Sequence, residues 1–196
     1  MDQLIYPPWF LGHYQRWWNV DRSLSVTAFE FAVLFLRICS YALQFLPSPV
    51  YAIDSIRGVT LDEIRKSCDG VSDALAPICA RLDRRGSLFR VQHLAFAGLR
   101  SLCQGRADMY WEALSNAIRV AQRIGLHVDI TSSRSMDELE KEMRRRTFCI
   151  LYIWDRYVLC TEPILSRKSY PFLTNFSDSQ KQCSVKTSGS YTILAR

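Results

Sequence analysis

The chain has 196 residues, of which 48% are hydrophobic, so it is long enough to bury a sizeable core in one compact domain. Its formal net charge of +6 comes from 25 lysines and arginines against 19 aspartates and glutamates. Half of that excess falls in residues 161–196, which hold five basic and two acidic residues. Counterion release needs basic side chains gathered on one surface, so this diffuse charge argues against a nucleic-acid-binding face.

The seven cysteines are spread along the chain, and no two stand closer than eleven positions. Zinc sites usually take two ligands from one short turn, so the spacing predicts no zinc finger, and we expect no cofactor in this chain. The N-terminus carries Asp2 and two prolines, which are not features of a secretory leader. An odd cysteine count without a leader favours reduced, buried thiols in the cytosol or nucleus.

Residues 1–27 predict an irregular entry and a short aromatic helix, whose rings favour a lid over the core rather than a ligand cage. An apolar helix follows over residues 28–46 and stops at a Pro-Ser-Pro breaker. Within it, Glu30, Arg37 and Gln44 recur every seven residues, which predicts a core helix with a narrow solvated edge. A membrane span is the weaker alternative, because an arginine at its middle costs roughly 2.5 to 3.5 kcal/mol.

The third predicted helix begins at a capping box formed by Thr60 and Glu63. Apolar side chains three and four positions apart then follow on one predicted core face. They are Leu61, Ile64, Cys68, Val71, Leu75, Ile78 and Leu82. We expect Pro77 to kink or restart this helix, and the Arg-Arg-Gly sequence at residues 84–86 to end it.

Ser87 is placed to cap the next helix, whose apolar residues lie on two faces and predict a central position. His93 lies in this helix without a second ligand at metal-binding spacing, which favours a hydrogen-bonded core or edge histidine. The following helix has the cleanest apolar period, over residues 107–124. Gly125 and Leu126 then fit a left-handed C-terminal cap with its hydrophobic contact.

A second capping-box spacing opens the last predicted helix, which spans residues 135–160. Its first half carries alternating acidic and basic side chains. Ion pairs four positions apart are expected between Glu140 and Arg144 and between Glu142 and Arg146. These pairs favour a solvated, salt-bridged face for the three consecutive arginines over a nuclear-import or phosphate-binding patch.

Periodicity fails beyond residue 160, where residues 161–196 contain two prolines and seven serines. We therefore expect residues 1–160 to form the folded domain and residues 161–196 to be a disordered or poorly packed tail. No strand-length alternation of β-branched residues interrupts the helical patterns. The sequence predicts an all-α fold of helical hairpins, packed in a bundle or an irregular solenoid.

Catalytic spacings are missing from the sequence. We find no His-Glu-x-x-His, no Cys-x-x-Cys, no Gly-x-Ser-x-Gly and no glycine-rich phosphate loop, so no enzyme class is indicated. Asp155 is the one carboxylate deep in an apolar helical context. A buried carboxylate needs a partner to stay charged, so we expect an interhelical ion pair with an arginine such as Arg106 or Arg119.

Fourteen residues between positions 105 and 155 form a recognisable string: Gly105, Arg106, Trp111, Ala117, Arg119, Gly125, Leu126, His127, Glu142, Arg144, Arg145, Arg146, Trp154 and Asp155. This string resembles the middle homology region of fungal zinc-cluster transcription factors. The segment at residues 37–48 also looks like the start of that region, so the likeness covers about 150 residues. We refer to the fourteen residues as the signature residues.

The resemblance implies a regulatory domain that acts in the nucleus and modulates a separate DNA-binding and activating machinery. It also implies protein partners or a small-molecule effector, with dimerisation a property of full-length family members. DNA contact and zinc are expected only through a six-cysteine cluster that this sequence does not contain. Residues 1–160 would then be a partial regulatory domain.

The sequence also departs from the family after Asp155, where a Gly-Arg-Pro element and further helices are expected. The abrupt change suggests a truncated or mis-spliced product. The main alternative function is a tetratricopeptide-like adaptor that binds peptides on a helical surface, although no repeat near 34 residues is found. The effector, the target genes and the direction of regulation do not follow from the sequence.

Overall fold

The protein is described here from a computed structural model, which covers residues 4–19, 25–45, 55–56, 58–128 and 136–161. Within these residues the chain is built from six α-helices and one short hairpin. In chain order they are α1 (Pro7–Asn19), α2 (Val26–Ala42), β1 (Ser55–Ile56), β2 (Val59–Thr60), α3 (Leu61–Leu82), α4 (Leu88–Cys103), α5 (Ala107–Arg123) and α6 (Glu138–Thr161). The all-α prediction is confirmed.

The two-stranded antiparallel hairpin is an addition that the sequence did not predict. It pairs Ser55 with Thr60 and Ile56 with Val59, immediately before α3. The predicted tail, apart from Thr161, lies outside the described residues, as does Ser135 of the second predicted capping box.

Local signals fix where three helices begin. The backbone N–H of Glu63 donates to Thr60 Oγ1 at 3.2 Å, and the N–H of Thr60 donates to Glu63 Oε2 at 2.9 Å, which confirms the predicted capping box. Ser87 caps α4 by accepting from the N–H of Arg90 at 3.3 Å. Ser25 caps α2 in the same way, so that helix begins two residues earlier than the sequence analysis placed it.

Helix α4 is the centre of the fold, as its two apolar faces predicted. It packs against α2, α5 and α6, and it buries Val91, Ala95 and Phe96 completely or nearly so. Gly98 faces α5, and a Cβ at this position would lie in van der Waals contact with the Tyr110 ring at 3.4 Å. The two central helices are therefore closely packed at this point.

Helix α3 faces its neighbours differently from the prediction. It runs as one helix through Pro77 without restarting. Of the predicted core line, Val71, Ile78 and Leu82 are 49%, 50% and 66% exposed. The buried face instead consists of Cys68, Asp69, Ser72 and Cys79. The prediction was therefore confirmed for Cys68 and wrong for Val71, Ile78 and Leu82, because polar contacts with α2 and α4 set the rotation of α3.

Helix α1 covers one side of the core with aromatic side chains. The ring of Trp9 lies 5.6 Å from that of Phe89, and Phe10 and Trp17 lie 5.3 and 5.8 Å from Phe31. These separations are those of packed aromatic pairs, so α1 is the predicted lid. In the part of the chain that the structure describes, no helix has the length and apolar character to cross a membrane.

Candidate functional site

A charged network lies buried between α2, α3 and α4. Glu30 is 1% exposed and Arg90 4% exposed, and the two form an ion pair. Ser87 donates its hydroxyl to the same carboxylate. Arg90 also donates to the carbonyl oxygens of Cys79 at 2.8 Å and Asp83 at 2.6 Å. One guanidinium group therefore joins α2, the C-terminal end of α3 and the start of α4.

A second set of ion pairs joins the same three helices about two to three turns away. Asp69 of α3 pairs with Arg100 of α4 and accepts the Ser40 hydroxyl of α2 at 2.6 Å. Arg37 of α2 pairs with Asp73 of α3 at 2.5 Å. The three arginines and three carboxylates balance, so the interior carries no net charge from these groups. We call Glu30, Arg37, Asp69, Asp73, Arg90 and Arg100 the charged interior, in which Asp73 lies at the solvent edge with its side chain 63% exposed.

Three polar residues of α2 that recur every seven positions, Glu30, Arg37 and Gln44, were predicted to form a narrow solvated edge. This was wrong for Glu30 and Arg37, which are buried and paired, whereas Gln44 is half-buried. A charge inside a helix packed on both sides must be paired, and α3 and α4 supply the partners.

His93 lies within the charged interior and is 3% exposed. Burial first, and then the guanidinium groups of Arg37 and Arg90, lower the pKa of His93 from 6.5 to about 3. Within the described residues neither ring nitrogen has a hydrogen-bond partner, so the prediction of a hydrogen-bonded histidine was wrong. A neutral imidazole packed between cations has little capacity for acid–base chemistry at physiological pH.

Two signature glycines end helices by the same geometry. Gly105 (φ 71°) follows α4 and Gly125 (φ 73°) follows α5. After α5, the N–H of Leu126 donates to the carbonyl of Ala121 at 2.9 Å and that of Gly125 to Gln122 at 3.0 Å. This is a Schellman motif, and buried Leu126 supplies its hydrophobic contact.

After α4, the N–H of Arg106 donates to the Ser101 carbonyl and that of Gly105 to Leu102, both at 2.9 Å. The two motifs therefore bracket α5. The predicted cap at Gly125 is confirmed, whereas the one at Gly105 was not recognised in the sequence.

The three signature arginines at the start of α6 share two partners. Arg146 pairs with Glu142 at 2.7 Å, as predicted, and Arg145 pairs with the same carboxylate at 2.7 Å. Arg144 does not form the predicted pair with Glu140. Its guanidinium donates instead to the carbonyl of Ile124 at 2.8 Å, at the C-terminal end of α5, where a cation is electrostatically favoured.

Glu140 makes a longer-range contact than predicted. Its carboxylate accepts the indole N–H of Trp9 at 3.0 Å, across 131 positions of sequence. The first and last described helices are thereby joined by a side-chain hydrogen bond.

The remaining signature residues lie in or beside the interface of α5 with α4 and α6. Ala117 is fully buried, and Trp111 and Trp154 are partly buried against the core. His127 is half-buried, and its ring lies 6.4 Å from that of Phe148. The structure thus brings most signature residues to helix ends and packing surfaces rather than to one pocket.

Asp155 is half-buried, and burial raises the pKa of its carboxyl group. Its charge also contributes to raising the pKa of Tyr110 to about 12, after burial. Among the described ion pairs none joins Asp155 to Arg106 or Arg119, which donate to Gln104 and Asn116 instead. The predicted interhelical pair was therefore wrong, since both arginines lie exposed and bond locally.

The described cysteines do not fit a zinc site. Burial raises the pKa of the Cys68 and Cys79 thiols, and it raises that of Cys39 to about 11, with a further contribution from Cys68. Zinc requires thiolates, which these surroundings disfavour. Among the described residues, no group of three histidine, cysteine, aspartate or glutamate side chains could hold a metal ion.

The charged interior was the feature that sequence reasoning missed. Two signals could have indicated it: the charges of α2 recur at the heptad spacing of Glu30 and Arg37, and Asp69 and Asp73 lie one turn apart in α3. Complementary charges on successive helices of a hairpin fold are a reason to expect internal pairing. These charged groups have a structural role, because each of them is paired with a group of opposite charge.

Comparison with known proteins identifies similar chains. The model of the family described as "fungal specific transcription factor domain" matches residues 20–162. "Transcription factor xilB" of Penicillium rubens is 44% identical over 183 residues, which cover 89% of this chain and 26% of the relative. "Probable transcription factor sol4" of Alternaria solani is 40% identical over 187 residues, which cover 89% of this chain and 33% of the relative.

The chain therefore spans about a quarter to a third of the length of these curated relatives. No solved structure matches it. Nothing in these comparisons favours the tetratricopeptide-like alternative.

Proposed function

We propose that this chain, which belongs to the family of fungal specific transcription factor domains, is a non-enzymatic regulatory module of a transcription factor that acts in the nucleus. The observation that carries the proposal is the family match over residues 20–162, which spans α2 to α6. Both relatives that share 40% or more of their aligned residues with this chain are named as transcription factors.

The arrangement of polar side chains supports a role without catalysis. Buried acids are neutralised by buried arginines, and His93 is held neutral between cations. The two signature glycines end helices and Arg144 joins α6 to the end of α5, which are scaffold roles. DNA contact and zinc binding belong, in this proposal, to a part of the protein other than these helices.

Regulation would act through the packing of the helices. An effector or partner that binds one arrangement of helices more tightly than another shifts the population between the two. Residues 1–160 form the responsive domain in this proposal, and residues 161–196 are not part of it.

The proposal is tested by tethering the whole chain to an unrelated DNA-binding domain in a fungal host that carries a reporter gene. We expect reporter expression to rise or fall several-fold relative to the DNA-binding domain alone. A fluorescent fusion of the chain without the added domain is expected to accumulate in the nucleus.

The matched control replaces Leu114, which is 2% exposed, by aspartate and so disrupts the core while leaving the surface intact. This variant should lose the reporter effect. A folded, nuclear fusion protein that leaves the reporter unchanged would contradict the proposed function.

A further inference from the structure

The C-terminal half of α3 presents an apolar stripe to solvent. Val71, Leu75, Ile78 and Leu82 are spaced by four, three and four positions, which places them on one face of the helix over roughly 17 Å. Val71, Ile78 and Leu82 are 49%, 50% and 66% exposed, and Leu75 is half-buried. We call these four residues the α3 stripe. Contiguous exposed apolar side chains of this kind mark interaction surfaces.

Basic side chains gather at the end of the stripe. Arg81, Arg84 and Arg85 are all exposed, and Arg123 of α5 donates to the carbonyl of Arg84, so it lies at the same end. Within the described residues none of these four forms an ion pair with a carboxylate. The neighbouring Asp83 accepts instead from backbone N–H groups, those of Arg85 at 2.8 Å and Gly86 at 3.1 Å.

A second copy of this chain is a poor occupant for the surface. A parallel pairing of two α3 helices would set identical arginines side by side. An antiparallel pairing centred on the stripe would set Arg84 and Arg85 opposite residues 69 and 68 of the other α3. The carboxylates there, Asp69 and Asp73, are already paired with Arg100 and Arg37. Either arrangement leaves the arginines of the stripe without a counter-charge.

A membrane or a nucleic acid also matches only part of the surface. A lipid interface needs a broad apolar face, whereas the α3 stripe is one side chain wide and has the exposed carboxylate of Asp73 beside it. A DNA backbone would contact the arginines and leave the apolar side chains bare.

We propose that the α3 stripe docks an acidic amphipathic helix of a partner protein. Apolar anchors on one face of that helix would pack between Val71 and Leu82, and carboxylates beside its last anchors would pair with the arginines at residues 81–85 and with Arg123. The surface thus specifies both the shape and the charge of its partner. This docking site rests on the proposed regulatory function only for its biological role, because the contact itself is derived from the α3 stripe and its arginines.

The test uses the purified 196-residue chain and two fluorescent peptides of about 18 residues, enough to span the stripe as a helix. Both peptides carry leucine at heptad spacing, and their remaining positions are mainly glutamate in one and lysine in the other. We expect the glutamate peptide to bind at least tenfold more tightly than the lysine peptide by fluorescence anisotropy. Its affinity should fall as salt rises from about 0.05 M to about 0.5 M.

Two sets of variants locate the binding. Ile78→Ser with Leu82→Ser removes exposed anchors, and Arg84→Glu with Arg85→Glu reverses the charge. Each pair is expected to weaken binding about tenfold or more, a typical loss for two interface residues. Val128→Ser, which changes an equally exposed apolar residue elsewhere, and Arg16→Glu are the matched controls and should leave binding unchanged.

Circular dichroism verifies that each variant is folded, and either pair alone suffices if the other unfolds the chain. The proposal is overturned if the peptides bind equally, if neither binds, or if folded variants bind like the parent chain. Binding of a DNA duplex or of anionic vesicles through the α3 stripe in preference to the glutamate peptide would also overturn it. Because the measurement uses purified protein, it can fail while the reporter result stands.

Discussion

The two halves of the described fold are held together by different forces. Helices α2, α3 and α4 meet around the charged interior, whereas α5 and α6 join α4 through buried apolar residues such as Leu114, Met143 and Leu151. Buried charges tolerate few alternative packings, because any shift leaves an ion unpaired. Apolar contacts tolerate small shifts at modest cost. The ion pairs therefore hold the α2–α4 half in one arrangement, whereas the apolar contacts of the α5–α6 half allow small adjustments.

The largest expected effect comes from removing one partner of the charged interior. Arg90→Met leaves the Glu30 carboxylate buried without its cation and removes two hydrogen bonds to carbonyl groups of the α3 end. We expect a loss of about 3 to 5 kcal/mol in the free energy of unfolding, measured by urea denaturation. The double variant Arg90→Met with Glu30→Met should recover much of this loss. A double variant as unstable as the single one would show that the ion pair is not what fixes this half.

A smaller effect is expected from the core of the other half. Leu114→Ala removes a side chain that is 2% exposed, and the cavity should cost about 3 kcal/mol. Leu102→Ala, at a residue 43% exposed, is the control and should cost less than about 0.5 kcal/mol. If both substitutions had the same effect in urea denaturation, the apolar interface would not carry the stability of this half.

Acid should destabilise the α2–α4 half through His93. Its pKa is depressed from 6.5 to about 3 in the folded chain, so the unfolded chain binds the proton more readily. The contribution of neutral His93 to the free energy of unfolding is therefore fully present above pH 6.5, and it is lost as the pH falls from there towards 3. Between pH 7 and pH 5 this residue alone accounts for about 2 kcal/mol.

His93→Leu removes that titration. We expect a flatter dependence of the urea midpoint on pH in this variant than in the parent chain. His13, whose pKa burial and Arg16 lower to about 4, titrates in the same range and remains in both proteins. Parallel pH curves for parent and variant would rule out the role of His93.

The smallest effect is expected at Gly125, in the turn that ends α5. Gly125→Ala places a Cβ in a left-handed conformation where no other atom lies within 4 Å, so only backbone strain is added. The expected loss is about 1 kcal/mol in thermal denaturation. Gly125→Asn should cost less, since asparagine accepts this conformation more readily. An alanine variant of unchanged stability would mean that the cap is dispensable.

Features set by nearby residues could be predicted from the sequence. The caps at Thr60 and Ser87, the left-handed turn at Gly125 and the pair between Glu142 and Arg146 each depend on groups within a few positions. The all-α fold and the central place of α4 followed from apolar periodicity. These interactions need no knowledge of which helix packs on which.

Features set by distant residues could not be predicted in the same way. The rotation of α3 depends on Asp73 meeting Arg37, 36 positions away, and the partner of Arg144 is a carbonyl group 20 positions away. Apolar periodicity placed Val71 and Leu82 in the core because it assigns the most hydrophobic helix face to the interior and does not account for ion pairs between helices. The signature residues were recognised as a string and the cap at Gly125 was predicted, but the contact of Arg144 with the end of α5 could not be.

The hydrogen bond between Trp9 and Glu140 has a consequence for synthesis of the protein in the cell. The indole near the start of the chain finds its acceptor only after 131 further positions have been translated. Until α6 leaves the ribosome, the aromatic side of α1 has an incomplete docking surface, and nascent chains of intermediate length expose it to chaperones and proteases. The contact between Trp9 and Glu140 can therefore form only once α6 has been synthesised.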